Sequence, residues 1–250
     1  MIISFTYRYI FLKTQKVGGE SMENALYERF FDHDHDLCHN FRIVAPHKTP
    51  KIYPEQYQQK IQEGLQAEGP HMTGRRVKAM LGDAYHDFFV FSIERNPFTR
   101  MVSLYFYTKH IYEQEKKRRA ARGEPYEAKD PSSFREWLLT VDRPHFCRNR
   151  GICSLHEDKP YDGVNFIIRY EHMAYDVTQL SRCLGFRENI YDTYRTMSKH
   201  RSIRPQGMTA CHLFSGFDEG IARVRKECAI ELDTFGYDAP TQKGVSGMTP

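Results

Sequence analysis

The chain has 250 residues, the size of one large domain or two small ones, and its 40% hydrophobic and 27% charged residues allow a sizeable core beneath a polar surface. A formal net charge of +4 is too slight for a bulk nucleic-acid binder, and suits an anionic small ligand or acidic substrate held by local basic clusters. The longest apolar run, FFVFSI at 88–93, is too short to cross a bilayer, and residues 1–12 lack a small-residue cleavage site, so a soluble, cytoplasmic protein is expected.

Residues 2–12 alternate and are rich in β-branched and aromatic side chains, which predicts a first strand. Residues 21–31 place Met22, Leu26 and Phe30 at helical spacing behind Ser21 as a cap. A polar, irregular stretch follows at 33–39, then a short strand at 41–44 and a proline-bearing loop. Helices are predicted at 57–65 and 74–81, the second stopped by Gly82. Residues 87–94 form an apolar run of the kind found in a sheet buried on both faces. Pro97 opens a long helix that reaches residue 122, and a linker with two prolines leads to a short helix at 133–141 with the only tryptophan. A strand at 163–169, a helix at 173–184 stopped by Gly185, and a last helix at 218–232 complete the series. The six cysteines show no CxxC pair, so buried free thiols are expected, with a Cys147–Cys153 disulfide as the alternative. Strands alternating with helices predict an α/β fold with a largely parallel sheet, in a single domain over 1–238 with a flexible tail at 239–250.

In such a sheet, ligands bind beyond the carboxyl ends of strands. The first junction reads KTQKVGGESM. Gly18 and Gly19 permit a tight turn, so that the amides of Val17, Gly18, Gly19, Glu20, Ser21 and Met22 can face an anion at a helix N-terminus. Lys16 precedes the glycines, unlike the lysine of the nucleotide loop GxxxxGK[ST], and so meets its anion from the strand side. The second junction reads ERNPFTRMVS, with Arg95 directly after a strand and Ser103 eight residues on, inside the helix. An arginine there can grip a phosphate bidentately, and a helix hydroxyl can close its other side. Each junction also has a plain structural reading, as a glycine turn capped by Ser21 and as an Arg paired with an acid and a Ser on a helix face.

Taken together, KTQKVGGES resembles the 5′-phosphosulfate loop of sulfotransferases, and RNPFTRMVS resembles their 3′-phosphate motif. HMTGRRVKAMLG, VNFIIRYEHM and an acidic helix ending in FGY at 235–237 are further similarities, so the resemblance spans roughly 5–238. It points to the carbohydrate-type branch, with a three-layer, P-loop-like nucleotide-binding fold. It implies 3′-phosphoadenosine 5′-phosphosulfate (PAPS) as co-substrate and transfer of its sulfuryl group to a hydroxyl, of a carbohydrate, without a metal. By the same resemblance Lys16 neutralises the bridging oxygen as the sulfuryl group leaves, and Arg95 with Ser103 holds the 3′-phosphate. The segment SKHRS at 198–202 resembles the part that folds over the bound nucleotide, with Arg201 as its phosphate contact. The family usually has Thr or Ser where Glu20 stands, and a carboxylate beside a phosphosulfate repels it unless turned away or paired.

The acceptor hydroxyl needs a base, for which histidine is suited near neutral pH. His71, in GPHMTGRR, matches a histidine recurring in similar sequences; His47, His33, His35 and the Glu20 carboxylate are the alternatives. The cluster DHDHDLCH at 32–39 lacks a metal-ligand spacing and reads as a solvated loop. The run EKKRRAAR at 115–122 suits either a solvated helix end or an acidic polysaccharide. Two other functions fit the pattern less well: a P-loop-type kinase, which lacks its lysine after the glycines, and a non-catalytic nucleotide- or glycan-binding homologue.

Overall fold

A computed structural model describes residues 1–5, 7–30, 36–38, 55–128, 130–131, 133–198 and 203–240. By contact the chain divides into two compact units, Met1–Arg95 with Arg148–His200, and Asn96–Cys147 with Arg201–Pro250. In chain order the elements are β1 (Ile2–Ser4), β2 (Tyr9–Leu12), α1 (Gly19–Phe30), β3 (Asp36–Cys38), α2 (Glu55–Glu68), α3 (Gly74–Leu81) and β4 (Phe89–Glu94). They continue with α4 (Pro97–Ala120), α5 (Phe134–Thr140), α6 (Pro144–Cys153), β5 (Phe166–Arg169), α7 (Met173–Cys183) and α8 (Ile190–Ser198). The last are α9 (Ala210–Phe214), α10 (Asp218–Glu227) and α11 (Ala229–Phe235).

The first unit is the α/β body expected from the strand and helix alternation. Its sheet runs in the order β3-β1-β2-β4-β5. The pairings β2–β4 and β4–β5 are parallel, whereas β1 is antiparallel to both β2 and β3, so the sheet is mixed. The strand predicted over 2–12 is in fact a hairpin: Ile2 pairs with Phe11 and Ser4 with Tyr9. Its turn hides from the alternation because Arg8, not a glycine, takes the left-handed conformation at φ 55°. β3 lies in the stretch expected to be irregular, while the strand expected at 41–44, like nearly all of the expected tail, lies outside the described residues.

Strand periodicity distributes the core to two faces. Ile3, Ile10, Leu12 and Val90 pack with Ile61 of α2 and Val77, Met80 and Leu81 of α3. Ile2, Tyr9, Phe11, Phe91, Ile93 and Ile168 pack with α1, α7 and α8 through Met22, Leu26, Val177, Leu180 and Ile190. Helices therefore cover both faces, giving three layers.

The second unit is helical, with a core around Phe98, Met101, Phe134, Phe146, Phe214 and Val224. Its α4 begins as expected at Pro97, with the Asn96 side chain accepting from the Phe98 amide at 2.9 Å. The single last helix expected over 218–232 is two, interrupted at Cys228. Cys147 and Cys153 are both free thiols; Cys153 and Cys228 are buried, whereas Cys147, Cys183 and Cys211 are not. No described helix is long and apolar enough to cross a membrane.

Candidate functional site

The parallel part of the sheet brings three strand ends to one edge. Leu12 of β2 pairs with Ser92, and Glu94 of β4 pairs with Arg169 of β5. The residues that follow each strand consequently emerge side by side, where an α/β sheet binds ligands.

Residues 13–18 form the loop between β2 and α1, and nearly every one is fastened. Lys13 is buried, and its ammonium pairs with the buried Glu23 carboxylate of α1. The Thr14 hydroxyl donates to the Ile93 carbonyl, and Ser92 donates to the Leu12 carbonyl at 2.7 Å. Asn149 of α6 grips the main chain of Gln15 twice: its Oδ1 accepts the amide at 2.8 Å and its Nδ2 donates to the carbonyl at 3.1 Å. Val17 plugs into the core beneath. Lys16 and Gly18 both take positive φ, 60° and 77°.

The helix begins earlier than its hydroxyl signal suggested. The Gly18 carbonyl accepts the Met22 amide at 3.1 Å, which puts the start of α1 at the glycines and Ser21 inside its first turn. Gly18 is required twice over, by its φ and because a Cβ there would stand 2.6 Å from the Tyr194 hydroxyl of α8. The first-turn amides precede the helix's own hydrogen-bond ladder and point along its N-terminal dipole, a cradle suited to an anion.

Arg95 leaves β4 beside this loop. Its Nη1 donates to the Lys16 carbonyl at 3.2 Å, and its guanidinium lies 4.2 Å from the centre of the Tyr170 ring, which follows β5. The buried Glu94 carboxylate accepts from the Arg95 amide at 2.9 Å, from Asn149 Nδ2 at 3.2 Å and from the Tyr161 hydroxyl at 3.0 Å.

Burial, reinforced by the Arg95 charge, pushes the Lys16 ammonium down to about 8, and the Glu20 carboxylate opposes the shift. Burial holds the Tyr194 hydroxyl above its ordinary value, so it stays a donor. His71 ends the 3₁₀ turn Gly69–His71 before α3, and its Nδ1 lies 2.8 Å from the Lys13 carbonyl. A carbonyl only accepts, so Nδ1 carries the proton and Nε2 keeps its lone pair. Burial pushes His71 down to about 4 despite that hydrogen bond, with the Lys13 and Arg148 charges adding to the effect.

The fold thus brings Lys16, Val17, Gly18, Gly19, Glu20, Ser21 and Met22 together with Arg95 at one loop, and ties His71 to the same loop through Lys13. Ser103 is half-buried on α4 in the second unit, and Arg201, His33, His35 and His47 lie outside the described residues. Most of DHDHDLCH does too; among the described residues no group of three or more His, Cys, Asp or Glu is placed to hold a metal. Sequence reasoning missed Asn149, Glu23, Tyr170 and Tyr194. Of these only Tyr170 carried a signal, since it stands directly after a strand, as Arg95 does.

The model of the sulfotransferase family matches residues 1–216. That is most of the chain, and the chain belongs to this family, whose reaction is sulfuryl transfer to a hydroxyl-bearing acceptor. Neither the curated proteins nor the solved structures compared with the chain give a match.

Proposed function

We propose that this member of the sulfotransferase family takes PAPS as donor and passes its sulfuryl group to a hydroxyl of a carbohydrate. The observation that carries the reading is Lys16, placed ahead of the Gly18–Gly19 turn and anchored through its own carbonyl to Arg95 at the neighbouring strand end. A lysine there suits charge growing on an oxygen between phosphate and sulfate, where an ammonium from the strand side meets the leaving group.

In this reading the first-turn amides of α1, with Gly18 and Gly19 allowing close approach, hold the 5′-phosphosulfate. On their motifs, Arg95 and Ser103 take the 3′-phosphate, and Arg201 is the phosphate contact of the SKHRS segment. The acceptor oxygen forms a bond to sulfur as the bond from sulfur to the bridging oxygen breaks in line. The acceptor proton goes to His71 Nε2, which the Lys13 carbonyl leaves as the basic nitrogen. Lys16 keeps the departing bisphosphate neutralised. Glu20 keeps Lys16 charged.

Calorimetry comparing adenosine 3′,5′-bisphosphate with ATP tests the donor. The bisphosphate is expected to bind more tightly, and equal or tighter ATP binding would return the chain to the kinase reading. With a panel of glycan acceptors, Lys16→Ala is expected to cut bisphosphate release from PAPS by about 10²–10³-fold with the fold retained. Undiminished turnover in that variant would remove Lys16 from its role.

A further inference from the structure

Lys16 is one of three non-glycine residues given a positive φ among the described residues, and the only one of them in the loop before α1. At φ 60° the backbone of an L-residue is strained, so something outside the residue must hold it there. The torsion φ of Lys16 is defined between two carbonyl carbons, that of Gln15 and its own. Both carbonyls are gripped. Asn149 Nδ2 donates to the Gln15 carbonyl at 3.1 Å, and Arg95 Nη1 donates to the Lys16 carbonyl at 3.2 Å.

The first grip is the more rigid. Asn149 is 1% exposed, and its Oδ1 also accepts the Gln15 amide at 2.8 Å, so the carboxamide brackets one residue from both ends of its main chain. This pairing fixes which end of the amide is oxygen, because a main-chain N–H needs an acceptor and a carbonyl needs a donor. The remaining Nδ2 hydrogen goes to Glu94 Oε1 at 3.2 Å, and the same oxygen accepts the Arg95 amide at 2.9 Å. One buried carboxylate therefore orients the Asn149 carboxamide and also anchors the main chain of Arg95. The Tyr161 hydroxyl steadies it in turn, 3.0 Å from its other oxygen.

We infer that Asn149 is a positioning residue for Lys16: its carboxamide, oriented by Glu94, fixes the Gln15 peptide and, together with Arg95, holds Lys16 in the left-handed conformation that aims its ammonium. The inference rests on the sulfuryl-transfer reading only for the use made of Lys16; the bracing itself is independent of the ligand. A side chain whose partners are all main chain or buried carboxylate touches no substrate. It acts through the lysine.

The test measures acylation of Lys16 against pH by mass spectrometry in the full chain without nucleotide, in wild type, Asn149→Ala and Asn149→Ser. Serine keeps a polar atom toward Glu94 but is too short to bridge both Gln15 groups. In wild type the reactivity of Lys16 is expected to rise with a midpoint near 8. In the folded variants that midpoint moves upward by about one pH unit as the lysine leaves its half-buried seat beside Arg95, while lysines of α4 react as before. An unmoved midpoint in a folded variant overturns the inference, and loss of the fold in both variants does so too, since Asn149 would then be structural. Affinity for adenosine 3′,5′-bisphosphate is read separately. Failure of wild type to bind it overturns the donor assignment, and leaves the titration of Lys16 to decide the role of Asn149.

Discussion

At the scale of single residues, Glu20 is the one that departs from the pattern of its loop. A carboxylate in the first turn of α1 suits the helix dipole but opposes the phosphosulfate of the proposed donor. Its compensation is local. Burial and Arg95 both disfavour the charged form of Lys16, and Glu20 favours it, so that the ammonium persists to about pH 8. Removing the carboxylate therefore leaves Lys16 with burial and a neighbouring guanidinium and no counter-charge in that balance. Glu20→Gln is expected to bring the acylation midpoint of Lys16 below about 8, which the same mass-spectrometric titration reads directly. A midpoint that stays or climbs would show that Glu20 faces away from the lysine in solution.

At the scale of elements, the start of α1 depends on how closely α8 approaches it. A methyl group on Gly18 would meet the Tyr194 hydroxyl at 2.6 Å on a backbone at φ 77°, so Gly18→Ala carries both a clash and a strained torsion. We expect it to destabilise the fold by about 1–3 kcal/mol, measured by urea unfolding. Adding Tyr194→Phe should recover the clash but not the torsion. A Gly18→Ala protein as stable as wild type would mean that α8 does not press on the loop. Elements marked by a punctuating residue were legible from the chain: α3 ends before Gly82, α4 opens at Pro97 and α7 ends ahead of Gly185. The β1–β2 turn was not, because its left-handed residue is Arg8, and neither was α6, whose PHFCRNRGIC has a glycine inside and too few apolar positions to show a period. The site divides the same way. Lys16, Gly18 and Arg95 are announced by strand ends and glycines, whereas Asn149 reaches Gln15 across 134 residues of chain, a contact made only by the fold.

For the whole molecule, His71 ties acid stability to the chemistry proposed for the site. Its ordinary value is 6.5 and burial lowers it to about 4 in the folded chain. As pH falls from 6.5 the unfolded chain takes up this proton first, so the folded state loses stability through the interval down to about 4 and no further on this account. Below that interval other groups take over. Asp176 is one: burial works against its charge, yet the hydrogen bonds and charge of Arg169 hold its carboxyl below the usual range. The two contributions are therefore separable by pH. His71→Gln keeps an amide donor for the Lys13 carbonyl and cannot titrate, so its melting temperature should change less than that of wild type between pH 6.5 and 4, while the acid limb below remains. Parallel curves for the two proteins through that interval would show that His71 is solvated. In the proposed mechanism a neutral imidazole is what proton abstraction requires, and a charged Lys16 is what the leaving bisphosphate requires. The first condition holds above about 4 and the second below about 8, so neutral pH lies inside the range where both groups are in the forms that the proposed transfer uses.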